Sequence, residues 1–122
     1  MIDEKLLTIV IPVYNEEKTI EKVLLSLTKL REKIETIEII VVNDGSKDNS
    51  LKILKENHIY YDVLINNLQN KGKGNAVKSA LEKASGKYIV FQDADLEYDP
   101  QDFNKFVNLI NKFSPDLIIG SR

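Results

Sequence analysis

Two aspartates separated by one small residue, Asp93-Ala94-Asp95, follow almost directly on the apolar segment Tyr88-Ile89-Val90-Phe91. Carboxylates spaced this way at the end of a strand can approach a hard divalent cation from one side, and Glu97 offers a third oxygen two residues on. Mg²⁺ or Mn²⁺ bound by so few protein oxygens keeps coordination positions for the phosphates of a nucleotide. Alone, an Asp-x-Asp serves equally well to solvate a loop and cap a helix. Its place after a strand, with Asp99-Pro100 behind it as N-cap and first helical residue, favours the metal reading. Asp44, beside Gly45, is the second candidate. A carboxylate there can accept the imino hydrogen of uracil or the ring and amino hydrogens of guanine, although in isolation it reads as an ordinary turn residue. Lys71-Gly72-Lys73-Gly74 combines glycines that let backbone approach a ligand with lysines that supply charge. It lacks the spacing of a Walker A loop or of a dinucleotide-binding fingerprint. His58, the single histidine, ends a short helical pattern and suits a surface or capping role.

The elements that must position these groups alternate along the chain. Leu6 to Ile11 is a short β-branched apolar run that ends at Pro12 and predicts a buried strand. Asn15-Glu16-Glu17 offers a cap and two carboxylates to a helix whose apolar stripe is Ile20, Val23, Leu24, Leu27 and Leu30. A second strand is predicted over Ile37 to Val42, ending at Asn43-Asp44-Gly45-Ser46. Asp48-Asn49-Ser50 caps a short helix to about Glu56, and Tyr60 to Ile65 predicts a third strand. The polar loop Asn66 to Gly74 leads into a helix over about Asn75 to Ala84, with Gly86 as its stop. Tyr88 to Phe91 is a fourth strand. A helix striped with Phe103, Phe106, Val107, Ile110 and Phe113 follows, and Leu117 to Ile119 is a fifth strand reaching Gly120-Ser121-Arg122.

Such alternation predicts one α/β domain over residues 1–122, a mainly parallel sheet flanked by helices with right-handed crossovers. Ligands of open parallel sheets bind outside the carboxyl ends of the strands. Tyr14 to Glu16, Asp44, Asn70 to Gly74, Asp93 with Asp95, and Arg122 all fall there, so they are expected to line one crevice.

The composition suits a soluble globular domain, with 43% apolar and 30% charged residues. Seventeen basic against 19 acidic residues leave a net charge of −2, which gives no electrostatic reason for a nucleic-acid partner. The absence of cysteine excludes disulfides and thiolate metal sites and fits a reducing compartment. The acidic start Met1-Ile2-Asp3-Glu4-Lys5 is unlike a signal peptide, and the apolar run after it falls well short of the roughly 20 residues a bilayer span needs. A cytoplasmic protein is expected, able to work at the cytoplasmic membrane surface.

Taken together, Val10-Ile11-Pro12-Val13-Tyr14-Asn15-Glu16, Ile40-Val41-Val42-Asn43-Asp44-Gly45-Ser46, Gly72-Lys73-Gly74 before Ala76, and Asp93-Ala94-Asp95 resemble, in order and spacing, the family 2 glycosyltransferases of the GT-A fold. The stretch Gln92 to Pro100 is most similar to the dolichyl-phosphate mannose synthase and polyprenyl-phosphate sugar transferase branch. The resemblance implies a Rossmann-like half-domain that binds a UDP- or GDP-sugar and transfers the sugar to an acceptor such as a polyprenyl phosphate. It implies that Pro12, Tyr14 and Glu16 border base and ribose, that Asp44 bonds the base, and that Lys73 lies near base or phosphate. Asp93 and Asp95 would hold ribose and metal, Glu97 would also reach the metal, and Arg122 would face phosphate. Asn43 departs from the family, where many relatives carry a second Asp. Family catalytic domains run to roughly twice this length, so a truncated unit is expected that binds donor without transferring sugar. Self-association through the sheet edge left after Leu117-Ile118-Ile119 is expected too. A receiver-like signalling module is the alternative of similar length. It needs an acidic pair after the first strand and a Lys after the fifth, where this chain has Pro12 to Glu16 and Gly120-Ser121-Arg122.

Overall fold

The computed structural model describes residues 7–33, 37–86, 88–91 and 118–120. Five strands, β1 (Leu7–Val13), β2 (Ile37–Asp44), β3 (Val63–Asn67), β4 (Tyr88–Phe91) and β5 (Ile118–Gly120), form one sheet in the order β3-β2-β1-β4-β5. Every neighbouring pair is parallel, so all carboxyl ends lie along one edge. Among the described residues the α-helices are α1 (Ile20–Lys33), α2 (Ser50–Glu56) and α3 (Lys73–Lys83).

Strand parity sorts the core into two layers. Leu7, Ile9, Ile11 and Val13 of β1 and Ile37, Ile39 and Val41 of β2 pack with Ile20, Val23, Leu24 and Leu27 of α1 and Leu54 of α2. The alternate residues Val10, Ile40 and Val42 pack with Ala76 and Ala80 of α3 on the other face. Right-handed crossovers require this division. The chain steps from β1 to β3 in one direction with its helices on one face. It then crosses back to β4, which puts α3 on the opposite face. The strand order reverses between β1 and β4, where doubly wound sheets open a crevice.

The described residues move several expected boundaries. β1 does not stop at Pro12 but runs on to Val13, pairing Pro12 with Val42. Among the described residues the ladder with β4 covers Leu7 to Val10. β3 starts at Val63 rather than Tyr60, which instead lies in a 3₁₀ turn over His58–Tyr60. Asp62 sets that start: its amide donates to the Ile39 carbonyl at 2.9 Å, and its carboxylate accepts the Ile39 amide at 2.7 Å and pairs with Arg31. α3 begins at Lys73 rather than Asn75. Gly86 is not the helix stop, because Ala84 closes α3 by donating to the Ala80 carbonyl. Gly86 instead presses on β1: a Cβ there would lie 2.6 Å from the amide nitrogen and hydroxyl of Thr8. The side chain of Leu30, the helix expected after Pro100 and Leu117 lie outside the described residues.

Candidate functional site

The loop after β1 and the loop after β2 are laced together at the carboxyl edge. Asn15, at φ 54, donates its amide to the Ser46 hydroxyl at 3.0 Å and accepts the Lys47 amide on Oδ1 at 2.8 Å. The Glu16 amide donates to the Ser50 hydroxyl at 2.8 Å, and the Glu17 amide to Asp48 Oδ2 at 3.2 Å. Glu17 returns the link by accepting the Asn49 amide at 3.1 Å. Asn15 is therefore not a helix cap, and Asn49 holds the N-cap position of α2 without capping it through its side chain. α1 begins only at Ile20, Asn49 makes no side-chain cap bond, and Asp48 Oδ1 accepts the Ser50 amide at 2.9 Å in its place. The lacing holds Pro12 and Glu16, both half-buried, and Tyr14, 42% exposed, at the head of β1.

Asp44 is the last residue of β2 and is 4% exposed. Parallel register sets Asn67 of β3 beside it, and Asn67 Nδ2 donates to Asp44 Oδ1 at 3.3 Å. The Lys71 amide donates to Oδ1 and the Gly72 amide to Oδ2, each at 3.0 Å. The carboxylate therefore ties the end of β2 to the loop that opens α3. Gly45 completes the joint. It has φ +72, and a Cβ on it would lie 2.4 Å from the Asn70 amide nitrogen. Gly72, at φ +90, turns the chain straight into α3, which makes Lys73 and Gly74 part of the first helical turn instead of the loop. On the opposite face of the same register, Asn43 Nδ2 donates to Asn66 Oδ1 at 2.9 Å.

Pro12, Tyr14, Glu16, Asp44 and the backbone of Lys73 thus share one edge. Asp93, Asp95, Glu97 and Arg122 lie outside the described residues. Among those that are described, no group of three His, Cys, Asp or Glu side chains could hold a metal ion. Asn67 escaped sequence reasoning because the apolar signal for β3 ends at Ile65; the strand continues through two asparagines that only register pairs with Asn43 and Asp44. His58 is exposed, as its position suggested.

Asp48 makes the lacing sensitive to acid. Burial opposes its charge, but the Ser50 hydroxyl and the Ser50 and Glu17 amides outweigh burial and hold its carboxyl below the ordinary value of 3.8. A depressed folded-state pKa adds stability that is present above the unfolded value and is lost as pH falls through the folded one. The stability difference between wild type and Asp48→Asn is expected to be constant above about pH 5 and to shrink below pH 4. Urea midpoints measured from pH 7 to pH 3 check this, and a constant difference down to pH 3 would contradict it.

The family model described as Glycosyl transferase family 2 matches residues 8–122. The UDP-N-acetylglucosamine–dolichyl-phosphate N-acetylglucosaminyltransferase of Methanococcus voltae is 35% identical, over 98% of this chain and 53% of its own length. The dolichyl-phosphate beta-glucosyltransferase of Dictyostelium discoideum is 33% identical, over 99% of this chain and 41% of its own. The solved structure of S. aureus TarS 1-349 in complex with UDP-GlcNAc is similar with a TM-score of 0.76 and 27% identity, over 88% of this chain and 31% of that one. Mannosyltransferase PcManGT from Pyrobaculum calidifontis, in complex with GDP-Man and Mn²⁺, gives 0.71 and 26%, over 88% and 32%. The chain spans about half, or less, of the length of these relatives.

Proposed function

This chain belongs to glycosyl transferase family 2, and from that premise we propose that its carboxyl-edge cleft binds a UDP- or GDP-sugar as donor for transfer to an acceptor. One observation carries the reading. The segments Tyr14 to Glu16, Asp44 and Asn70 to Gly72 meet at one edge of a doubly wound sheet and are hydrogen-bonded into a fixed wall there. A preformed wall suits a ligand that must be oriented, because little ordering is left to be done on binding. In this assignment Pro12, Tyr14 and Glu16 border base and ribose, Asp44 accepts a hydrogen bond from the base, and Lys73 approaches base or phosphate.

The donor chemistry of Asp93, Asp95 and Glu97, hard carboxylate oxygens placed after β4, fits Mg²⁺ or Mn²⁺. When bound, such an ion supplies Lewis-acid stabilisation of charge on the diphosphate. In the same assignment Asp93 would also serve the ribose and Arg122 the phosphate. The acceptor we assign is a polyprenyl phosphate, in keeping with the dolichyl-phosphate named for two relatives. Its attacking oxygen is already ionised and needs little from a general base. Such an acceptor sets the reaction at a membrane surface, and no described helix is long and apolar enough to cross one.

A ligand that binds only the native state raises its stability by about 2.7 kcal/mol at a hundred times its Kd. Thermal melts with UDP-, GDP- and CDP-sugars, with and without Mn²⁺, are expected to rise by several degrees for the matching donor, and more with metal. If no sugar nucleotide moves the melt at millimolar concentration, the donor-site reading is wrong.

A further inference from the structure

The geometry around Asp44 points to uracil as the base this cleft selects, against guanine and cytosine. The inference rests on the reading of the cleft as a nucleoside-diphosphate site and concerns what Asp44 has left to offer. An ionised carboxylate has about four lone-pair positions on its two oxygens. Among the described residues, Asn67 Nδ2 and the Lys71 amide already occupy Oδ1, and the Gly72 amide occupies Oδ2. At most one acceptor position is open, and it lies on Oδ2. Burial to 4% exposure leaves the carboxylate only a narrow approach.

The three bases ask different things of that position. Uracil brings one imino N–H between two carbonyls, so a single acceptor satisfies it. Guanine brings its ring N–H and exocyclic amino group side by side and pairs with a carboxylate through both oxygens. Here Oδ1 is filled, so one guanine donor would be desolvated without a partner. Cytosine carries a bare ring nitrogen where uracil has N–H, and that lone pair would face the carboxylate charge. The loop lies against Gly45, and its Gly72 amide also donates to Asn70 Oδ1 within the loop at 3.0 Å.

Sites whose buried polar groups match one ligand reject analogues that leave a donor or acceptor unpaired. Calorimetry of the purified protein with UDP, GDP and CDP at saturating Mn²⁺ is expected to show UDP at least about tenfold tighter than either. Asn67→Leu keeps the side-chain shape and releases one position on Oδ1. It is expected to narrow the UDP-to-GDP ratio by at least about threefold, through stronger GDP binding. GDP binding wild type as tightly as UDP would overturn the choice of uracil and leave the nucleotide site standing. An unchanged ratio in folded Asn67→Leu would overturn the filled Oδ1 as its cause. Binding of none of the three would overturn both this inference and the donor-site reading.

Discussion

Gly45→Ala is expected to cost about 2–6 kcal/mol of stability, combining backbone strain of about 1–3 kcal/mol with overpacking of similar size. Position 45 is left-handed at φ +72, a region a residue with a Cβ enters at a cost. The added methyl carbon would also meet the Asn70 amide nitrogen at 2.4 Å and the Gln69 carbonyl carbon at 2.6 Å. Both are backbone atoms, so no rotamer change relieves the clash. Either the β2 turn or the loop before α3 must move, and the Lys71 and Gly72 amides then leave Asp44. Gly74→Ala is the matched control, because a Cβ there meets nothing within 4 Å and the position is helical. That change is expected to be neutral or to stabilise by up to about 1 kcal/mol. Urea unfolding of both variants decides the matter. A Gly45→Ala midpoint equal to wild type would mean that the loop does not rest on the turn.

Asp44→Asn is expected to weaken binding of the preferred nucleoside diphosphate by at least tenfold, since a hydrogen bond to a charged group contributes about 1.5–3 kcal/mol. The hydrogen bonds of Asp44 add a second effect. An amide turns one acceptor oxygen into an NH₂ group, which must face either the Gly72 amide or the pair from Lys71 and Asn67. A buried donor left without an acceptor costs about 1–3 kcal/mol, so the Asn70 to Gly72 loop should loosen with the affinity. Calorimetry reads the first effect, and amide hydrogen exchange at Lys71 and Gly72 reads the second. Weaker binding with unchanged exchange would mean that Asp44 serves the base alone. Unchanged affinity in a folded variant would remove Asp44 from the site.

Much of this protein was legible in its residues. β-branched apolar runs alternating with helical stripes determined an α/β domain with a parallel sheet, because each run buries fully only between two helical layers. The polar groups at the run ends, Tyr14, Asp44 and Asn70 to Gly74, marked the carboxyl edge of the sheet, since side chains that leave a covered sheet do so at its ends. Local chemistry misassigned Asn15, Asn49, Tyr60 and Gly86, whereas Asp48 does accept the first amide of α2. Capping residues and a Gly after a helix have the types that local rules expect, yet a polar side chain bonds whatever backbone the fold sets nearest. Here those partners are Ser46 and Lys47 for Asn15, Glu17 for the second oxygen of Asp48, and Thr8 for Gly86. Only tertiary structure decided that Asn67 stands beside Asp44 and that the loop amides fill its oxygens. Those pairings join residues 23 to 28 positions apart through parallel register, and no sequence period encodes which strand will lie beside which.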